Sequence, residues 1–148
     1  MVLPPVAPAL AVYVPANRCG SLVYVSGQVP MEDGVPLATG HVPHDVSVEH
    51  GAELARRCAL QALAALDGVL AAGEGLTRVC RVGGFVACDA GFTEHPAVIN
   101  GASLLLEEVF GDRARHARAA VGVISLPLGV PVEIEFLFEV GALETSEG

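Results

Sequence analysis

The sequence contains no lysine and no tryptophan, so its basic residues are eight arginines, set against 17 acidic residues for a formal net charge of −9. Without lysine the protein has no Schiff-base amine, no phosphate-loop lysine and no lysine general base. The acidic balance and the lack of a basic run argue against nucleic acid as a partner. Because cations are few, an arginine beside a candidate site is evidence for an anionic ligand.

Long hydrophobic runs are also missing. Charges, glycines or prolines interrupt every apolar stretch before the roughly 18 residues that a transmembrane helix requires. The apolar amino-terminal stretch has early prolines and no basic segment, which is not typical of a signal peptide. We therefore expect a cytoplasmic protein with no membrane partner, whose four cysteines are reduced.

Metal-binding patterns are absent as well. None of the cysteines forms Cys-x-x-Cys, and His41, His44 and His50 precede the first predicted helix with no rigid ligand spacing. We expect loop histidines, no metal site and no cofactor.

Apolar residues, in contrast, are in excess. They make up 52% of the chain, and the mean hydropathy is +0.54. The length of 148 residues suits a single domain, residues 1–148, with about 141–148 as a flexible tail. Because a domain of this size leaves much of its surface uncovered, we expect part of the apolar excess to face another subunit of a homo-oligomer.

Hydrophobic periodicity predicts two helices and five strands in the order ββαβαββ. This order is typical of an α+β domain with both helices on one face of a sheet. Asp45 or Ser47 is the expected N-cap of the first helix, and Gln61 is placed off its buried stripe. The predicted strands are 21–30, a short strand that returns after a turn within 31–40 to form a hairpin, 76–91, and two within 116–140 joined by "LPLG". The predicted helices are 48–72 and 94–112.

The stretch "HARAAVGVISLPLGVPVEIEFLFEV" carries the strongest chemical signal. Arg118 shares a strand face with the small residues Ala120 and Gly122, which leaves a hollow beside a guanidinium that can bind a carboxylate bidentately. In the last strand the apolar alternation faces the helices, and the arginine and glutamate faces are expected together on the other side. An ordinary solvated sheet face and a structural ion pair of Arg118 are the alternatives. The glutamates are Glu133, Glu135 and Glu139.

The chain resembles the RidA/YjgF family of enamine and imine deaminases. The resemblance runs from Tyr13 to about Val140 through "LVYVSGQVP", "VINGASLLLEEVFGD" and, most specifically, "ARAAVGVISLPLGVPVEIE". It implies a bacterial chorismate-mutase-like fold and a barrel-like homotrimer whose sheets face inward, with sites in the clefts between subunits. The implied reaction is hydrolysis of a 2-imino acid or its enamine, such as 2-aminoacrylate, to a 2-oxo acid and ammonia.

The resemblance also implies roles for individual residues. Arg118 would hold the carboxylate of a small substrate and Glu133 would help place the attacking water. Ala120 stands where the deaminases often have cysteine, and compared with the family one residue is added in "GDRARHAR", so substrate choice can differ. The remaining cleft residues implied by the family are Tyr13, Ser26, Gly27 and Asn100.

Several alternatives stay open at this stage. The chain could be a non-catalytic trimer that binds small carboxylates, a deaminase of an aminomuconate-like ring-cleavage product, or an RNA-cleaving relative. Arg113 and Arg115 are read as solvated charges that a dicarboxylate could use, and His116 as a possible proton carrier. If "LPLG" closes a simple hairpin, Glu133 lies roughly 13 Å from Arg118. In that case the strands shift or Glu133 serves a site shared with another subunit.

Overall fold

A mixed five-stranded sheet carries two helices on one face in the computed structural model, which describes residues 1–9 and 11–144. The α+β prediction with both helices on one face is confirmed. The predicted tail begins too early, because residues 141 and 142 still belong to the last strand; residues 145–148 lie outside the described residues. The elements are β1 (Ala16–Cys19), β2 (Leu22–Gln28), β3 (Met31–Glu32), β4 (Val35–Pro36), α1 (Val48–Asp67), β5 (Glu74–Ala87), α2 (His95–Phe110), β6 (Ala117–Val123) and β7 (Val132–Ala142).

The strand order is β1-β2-β7-β5-β6, and this corrects the predicted pairing at both ends of the chain. The amino-terminal hairpin is β1 with β2, whereas β3 and β4 form a separate two-stranded ribbon. The last two strands are not neighbours, because β5 lies between them. A helix between β5 and β6 makes these strands parallel, as in a βαβ unit, so β7 pairs with the other edge of β5.

The inner face of β7 supplies much of the core, as its alternation predicted. Its five apolar residues are at most 3% exposed. Ser47 is the N-cap of α1, since its hydroxyl accepts a hydrogen bond from the His50 amide at 3.0 Å. Helix α1 ends at Asp67, earlier than predicted. The five residues of β7 are Val132, Ile134, Phe136, Phe138 and Val140.

Gln61 is buried at 2% exposure, which corrects its predicted place off the buried stripe. Its amide donates to the Val29 carbonyl at 2.8 Å and to the Gln28 side chain at 3.3 Å. Its oxygen accepts from the Met31 amide at 2.9 Å. A glutamine can be buried here because these bonds satisfy it, and it ties α1 to the connection between β2 and β3.

The two helices cross in close contact at Gly101, where a side chain would collide with the carbonyl of Ala52. Gly101→Ala is expected to lower the free energy of unfolding by about 2 kcal/mol, because overpacking outweighs the better helix propensity of alanine. Urea denaturation measures this. Gly68→Ala is the matched control. Gly68 has right-handed helical angles, and a methyl group there would make only ordinary van der Waals contacts with the carbonyls of Ala65 and Ala64, so the change is expected to be neutral or slightly stabilising. Equal stability of the two variants would contradict the close crossing.

Candidate functional site

Arg118 lies on β6 with its side chain directed toward α2. Its Nη1 donates to Asn100 Oδ1 at 2.8 Å and to Ser103 Oγ at 3.2 Å, and Nη2 lies 3.5 Å from the Pro96 carbonyl. Within residues 1–9 and 11–144, no carboxylate pairs with this guanidinium. In the described part of the chain, Arg118 therefore does not form the structural ion pair that was the alternative.

Ser103 and His116 continue the hydrogen-bonded chain behind Arg118. His116 Nε2 lies 2.9 Å from Ser103 Oγ, and Nδ1 faces the Ala114 carbonyl. If Nδ1 carries the proton and donates to that carbonyl, Nε2 accepts from the serine hydroxyl, whose oxygen accepts from Arg118. Sequence reasoning missed Ser103, although it lies three residues after Asn100 on the same helix face.

Ala120 and Gly122 share the face of Arg118, as predicted. Ala120 packs against the core, and Gly122 lies under the side chains of His95 and Cys88. Cys88 Sγ is 3.5 Å from His95 Nε2, and burial raises the pKa of the Cys88 thiol. Ala120 itself offers only a small apolar surface beside Arg118.

Glu133 lies on the opposite face of the sheet from Arg118, and this corrects the prediction that the two faces coincide. Val82 on β5 pairs with both Arg118 on β6 and Phe136 on β7. Since paired residues share a face, Arg118 is on the helix side with buried Phe136, and Glu133 is on the other side. The prediction failed because it assumed that β6 and β7 pair directly.

Glu133 instead lies near three other residues that were predicted to line the cleft. A bulge between Val25 and Gln28 contains Ser26 and Gly27, which are half-buried, and the Glu133 carboxylate lies where a side chain of Gly27 would be. Ser26 Oγ donates to the Val14 carbonyl at 2.7 Å. Tyr13, Ser26, Gly27 and Glu133 line one cavity of about 940 Å³. The predicted site residues thus form two groups, one around Arg118 and Asn100 and one around Glu133.

Burial, and secondarily the charge of Glu135, raises the pKa of Glu133 above its ordinary value of 4.5. The native state then binds more protons than the unfolded state between 4.5 and the raised pKa, so this group lowers stability as pH rises through that interval. Glu133→Gln is therefore expected to be more stable than wild type at about pH 7.5, with the difference vanishing toward about pH 4. Urea denaturation at both values tests this, and exposed Glu53→Gln is the control. A Glu133→Gln protein that is less stable than wild type at the higher pH would contradict the sign.

The arginines after α2 differ in their contacts. Arg113, predicted to be solvated, donates to the Leu76 carbonyl at 2.9 Å and lies 5.6 Å from the centre of the Phe110 ring. Arg115 is exposed, and its closest carboxylate is Asp112 at 3.6 Å. Arg113 is thus tied to the protein, and Arg115 stands in solvent.

In the described part of the chain, no group of three or more histidine, cysteine or acidic side chains is arranged to hold a metal ion. His41 Nε2 is hydrogen-bonded to the Ile124 carbonyl at 2.8 Å.

No helix among residues 1–9 and 11–144 has the length and apolar character needed to cross a membrane.

Comparison with known proteins identifies the family. A family model described as "YjgF/chorismate mutase-like, putative endoribonuclease" matches residues 1–139. Protein TCP17 of Trypanosoma cruzi is 39% identical over 138 residues, which is 93% of this chain and 86% of that protein.

Two solved structures are similar throughout. A protein of unknown function from Agrobacterium tumefaciens is 46% identical with a TM-score of 0.80, covering 88% of this chain and 84% of that one. A "putative endoribonuclease" from Shewanella oneidensis is 33% identical with a TM-score of 0.87, covering 94% and 92%. The expected chorismate-mutase-like fold is confirmed, and the chain belongs to the YjgF family.

Proposed function

We propose that this protein is a hydrolytic deaminase of 2-imino acids and their enamine tautomers, such as 2-aminoacrylate. The observation that carries the proposal is the state of Arg118. Its guanidinium is held by the neutral oxygens of Asn100 and Ser103, and it has no carboxylate partner among the described residues of a chain with net charge −9. A positioned guanidinium without a counter-ion is suited to bind the carboxylate of a small acid.

A homotrimer with sites between subunits is part of the proposal. Arg118 and Glu133 lie on opposite faces of one sheet, so a small ligand cannot contact both in a single protomer. Two protomers can supply them when the Glu133 face of one meets the Arg118 edge of the next. The Glu133 face supports such contact, because Tyr24 and Val121 on it are 49% and 45% exposed.

For this reaction the protein mainly has to position the substrate and a water molecule. Arg118 fixes the substrate carboxylate, and Glu133 accepts a proton from water as that water adds to C2 of the C=N bond. Glu133 passes that proton to the imine nitrogen, which gives a carbinolamine, and then carries the hydroxyl proton of the carbinolamine to the same nitrogen. The C2–N bond breaks, its electron pair leaves with the nitrogen as ammonia, and the C2–O bond becomes a carbonyl. The raised pKa of Glu133 makes its carboxylate a stronger base, which suits a group that takes and returns a proton. Fixing both reactants in one cleft supplies much of the rate gain.

The test is ammonia release from 2-aminoacrylate generated in the assay mixture. Wild-type protein is expected to accelerate release above the buffer rate and to yield pyruvate in equal amount. A rate equal to that of buffer would overturn the proposal. Saturable binding of pyruvate without turnover of any imino acid would instead establish a non-catalytic carboxylate binder.

The matching family and the Shewanella relative are both described as a "putative endoribonuclease", which makes RNA cleavage the competing activity. The net charge of −9 and the carboxylate pairs of several arginines do not favour RNA binding here. Incubation with labelled single-stranded RNA at low salt is expected to give neither a complex nor fragments.

A further inference from the structure

The cavity beside Glu133 is far larger than 2-aminoacrylate needs. Its volume of about 940 Å³ is near the top of the range of about 300–1,000 Å³ found for sites of drug-sized ligands. Residues 2–9, rich in proline and aliphatic side chains, form part of its wall. Such a lining accommodates an aliphatic chain rather than a three-carbon substrate alone.

One cation, Arg57 of α1, also lines this cavity. Its Nε donates to the Met31 carbonyl at 3.1 Å and lies 3.3 Å from Gln61 Oε1. Gln61 is itself held by Val29 and Met31. The guanidinium is therefore oriented from behind by a buried, fully bonded amide.

The outer end of Arg57 is free for a ligand. Among residues 1–9 and 11–144, Nη1 and Nη2 of Arg57 have no hydrogen-bond partner. Every fully buried side-chain nitrogen in these residues does have a partner, so Nη1 and Nη2 are not fully buried and are accessible to a ligand. Four other arginines pair with carboxylates at 2.6 to 3.6 Å, whereas Arg57 does not. Those four are Arg18, Arg56, Arg81 and Arg115.

We propose that Arg57 binds a second carboxylate at the far end of the substrate, so that the preferred substrates are 2-imino acids whose side chain ends in a carboxylate. This rests on the proposed function, with the C1 carboxylate on Arg118 of the adjoining protomer and the imine beside Glu133. The Nη1 and Nη2 pair of Arg57 forms the fork that a carboxylate binds bidentately. The aliphatic middle of the molecule lies against the apolar wall.

Calorimetric titration with unreactive 2-oxo acids tests the inference without turnover. The 2-oxo diacids form a series of increasing chain length, and the length that binds best is used for the comparison. At that length the diacid is expected to bind at least about tenfold more tightly than its distal methyl ester, because the ester loses hydrogen bonds to a charged group. Arg57→Met abolishes that difference. Arg56→Met, a neighbour paired with Glu108 at 3.0 Å, retains it.

Equal binding of diacid and ester by wild-type protein overturns the Arg57 inference, and this comparison holds even if Arg57→Met fails to fold. A difference that persists in folded Arg57→Met also overturns it. Failure of the proposed function looks different. In that case wild-type protein binds the diacid through Arg57 but releases no ammonia from either 2-aminoacrylate or the diacid imine. Turnover of 2-aminoacrylate without tighter binding of diacids would support the deaminase proposal and overturn only the inference that Arg57 binds a second carboxylate.

Discussion

Replacing Arg118 by methionine is expected to lower kcat/KM for 2-aminoacrylate about a thousandfold, the equivalent of about 4 kcal/mol lost from charge-assisted contacts to the carboxylate. The protein is expected to fold and associate as before, because the guanidinium is partly exposed and bonds only to α2. Steady-state ammonia release measures the activity, and sedimentation velocity measures the association state.

Two further variants sharpen this prediction. Arg118→Lys keeps the charge but loses the planar fork, so an intermediate loss is expected. Arg115→Met removes an exposed cation three residues away and is expected to keep wild-type activity. Activity of the Arg118→Met protein within a factor of two of wild type would show that the carboxylate is bound elsewhere.

Mixing two inactive variants is expected to restore activity, and this is the second large effect. Glu133→Gln alone is expected to lose about a hundredfold or more in kcat, as for removal of a general base. In the proposed homotrimer, Arg118→Met and Glu133→Gln proteins that are unfolded together and refolded at equal amounts are expected to give trimers of which about three-quarters contain both variants. Each mixed trimer has one site with both wild-type groups, so about a quarter of wild-type activity should return.

The same mixture separates two arrangements of the site. If one protomer supplied both Arg118 and Glu133, no mixed trimer would have an intact site and the activity would stay at background. Mixing the two folded proteins without unfolding is the control, since it gives activity only as fast as subunits exchange. Background activity after co-refolding, with trimers present, would contradict sites between subunits.

Local patterns predicted both helices and the long strands but not β1, Ala16–Cys19. The alternation in β7 identified its buried face because each apolar residue on that face lies in the core. Ser47 identified the start of α1 because a serine can cap orphan amides. The family motifs identified the residues around Glu133, which the bulge at Ser26 and Gly27 brings to one cavity.

The same patterns could not predict the strand order or which face of each strand packs against the helices. The alternation within β6 gives the relative faces of Arg118 and Ala120, but only the pairing through Val82 shows which face meets the helices. Gln61 and Arg57 were missed for a related reason. A polar helix residue is read as exposed unless its partners are known, and these partners lie about 30 positions away in the chain.

The opposite placement of Arg118 and Glu133 across the sheet has a consequence for how the protein behaves in the cell. An isolated chain carries only halves of the proposed site, so the rate per chain follows mass action and falls on dilution below the dissociation constant of the oligomer. On the proposed function, expression level would set the activity of each chain as well as the total activity. A molecule that only loosened association would inhibit without ever entering the pocket.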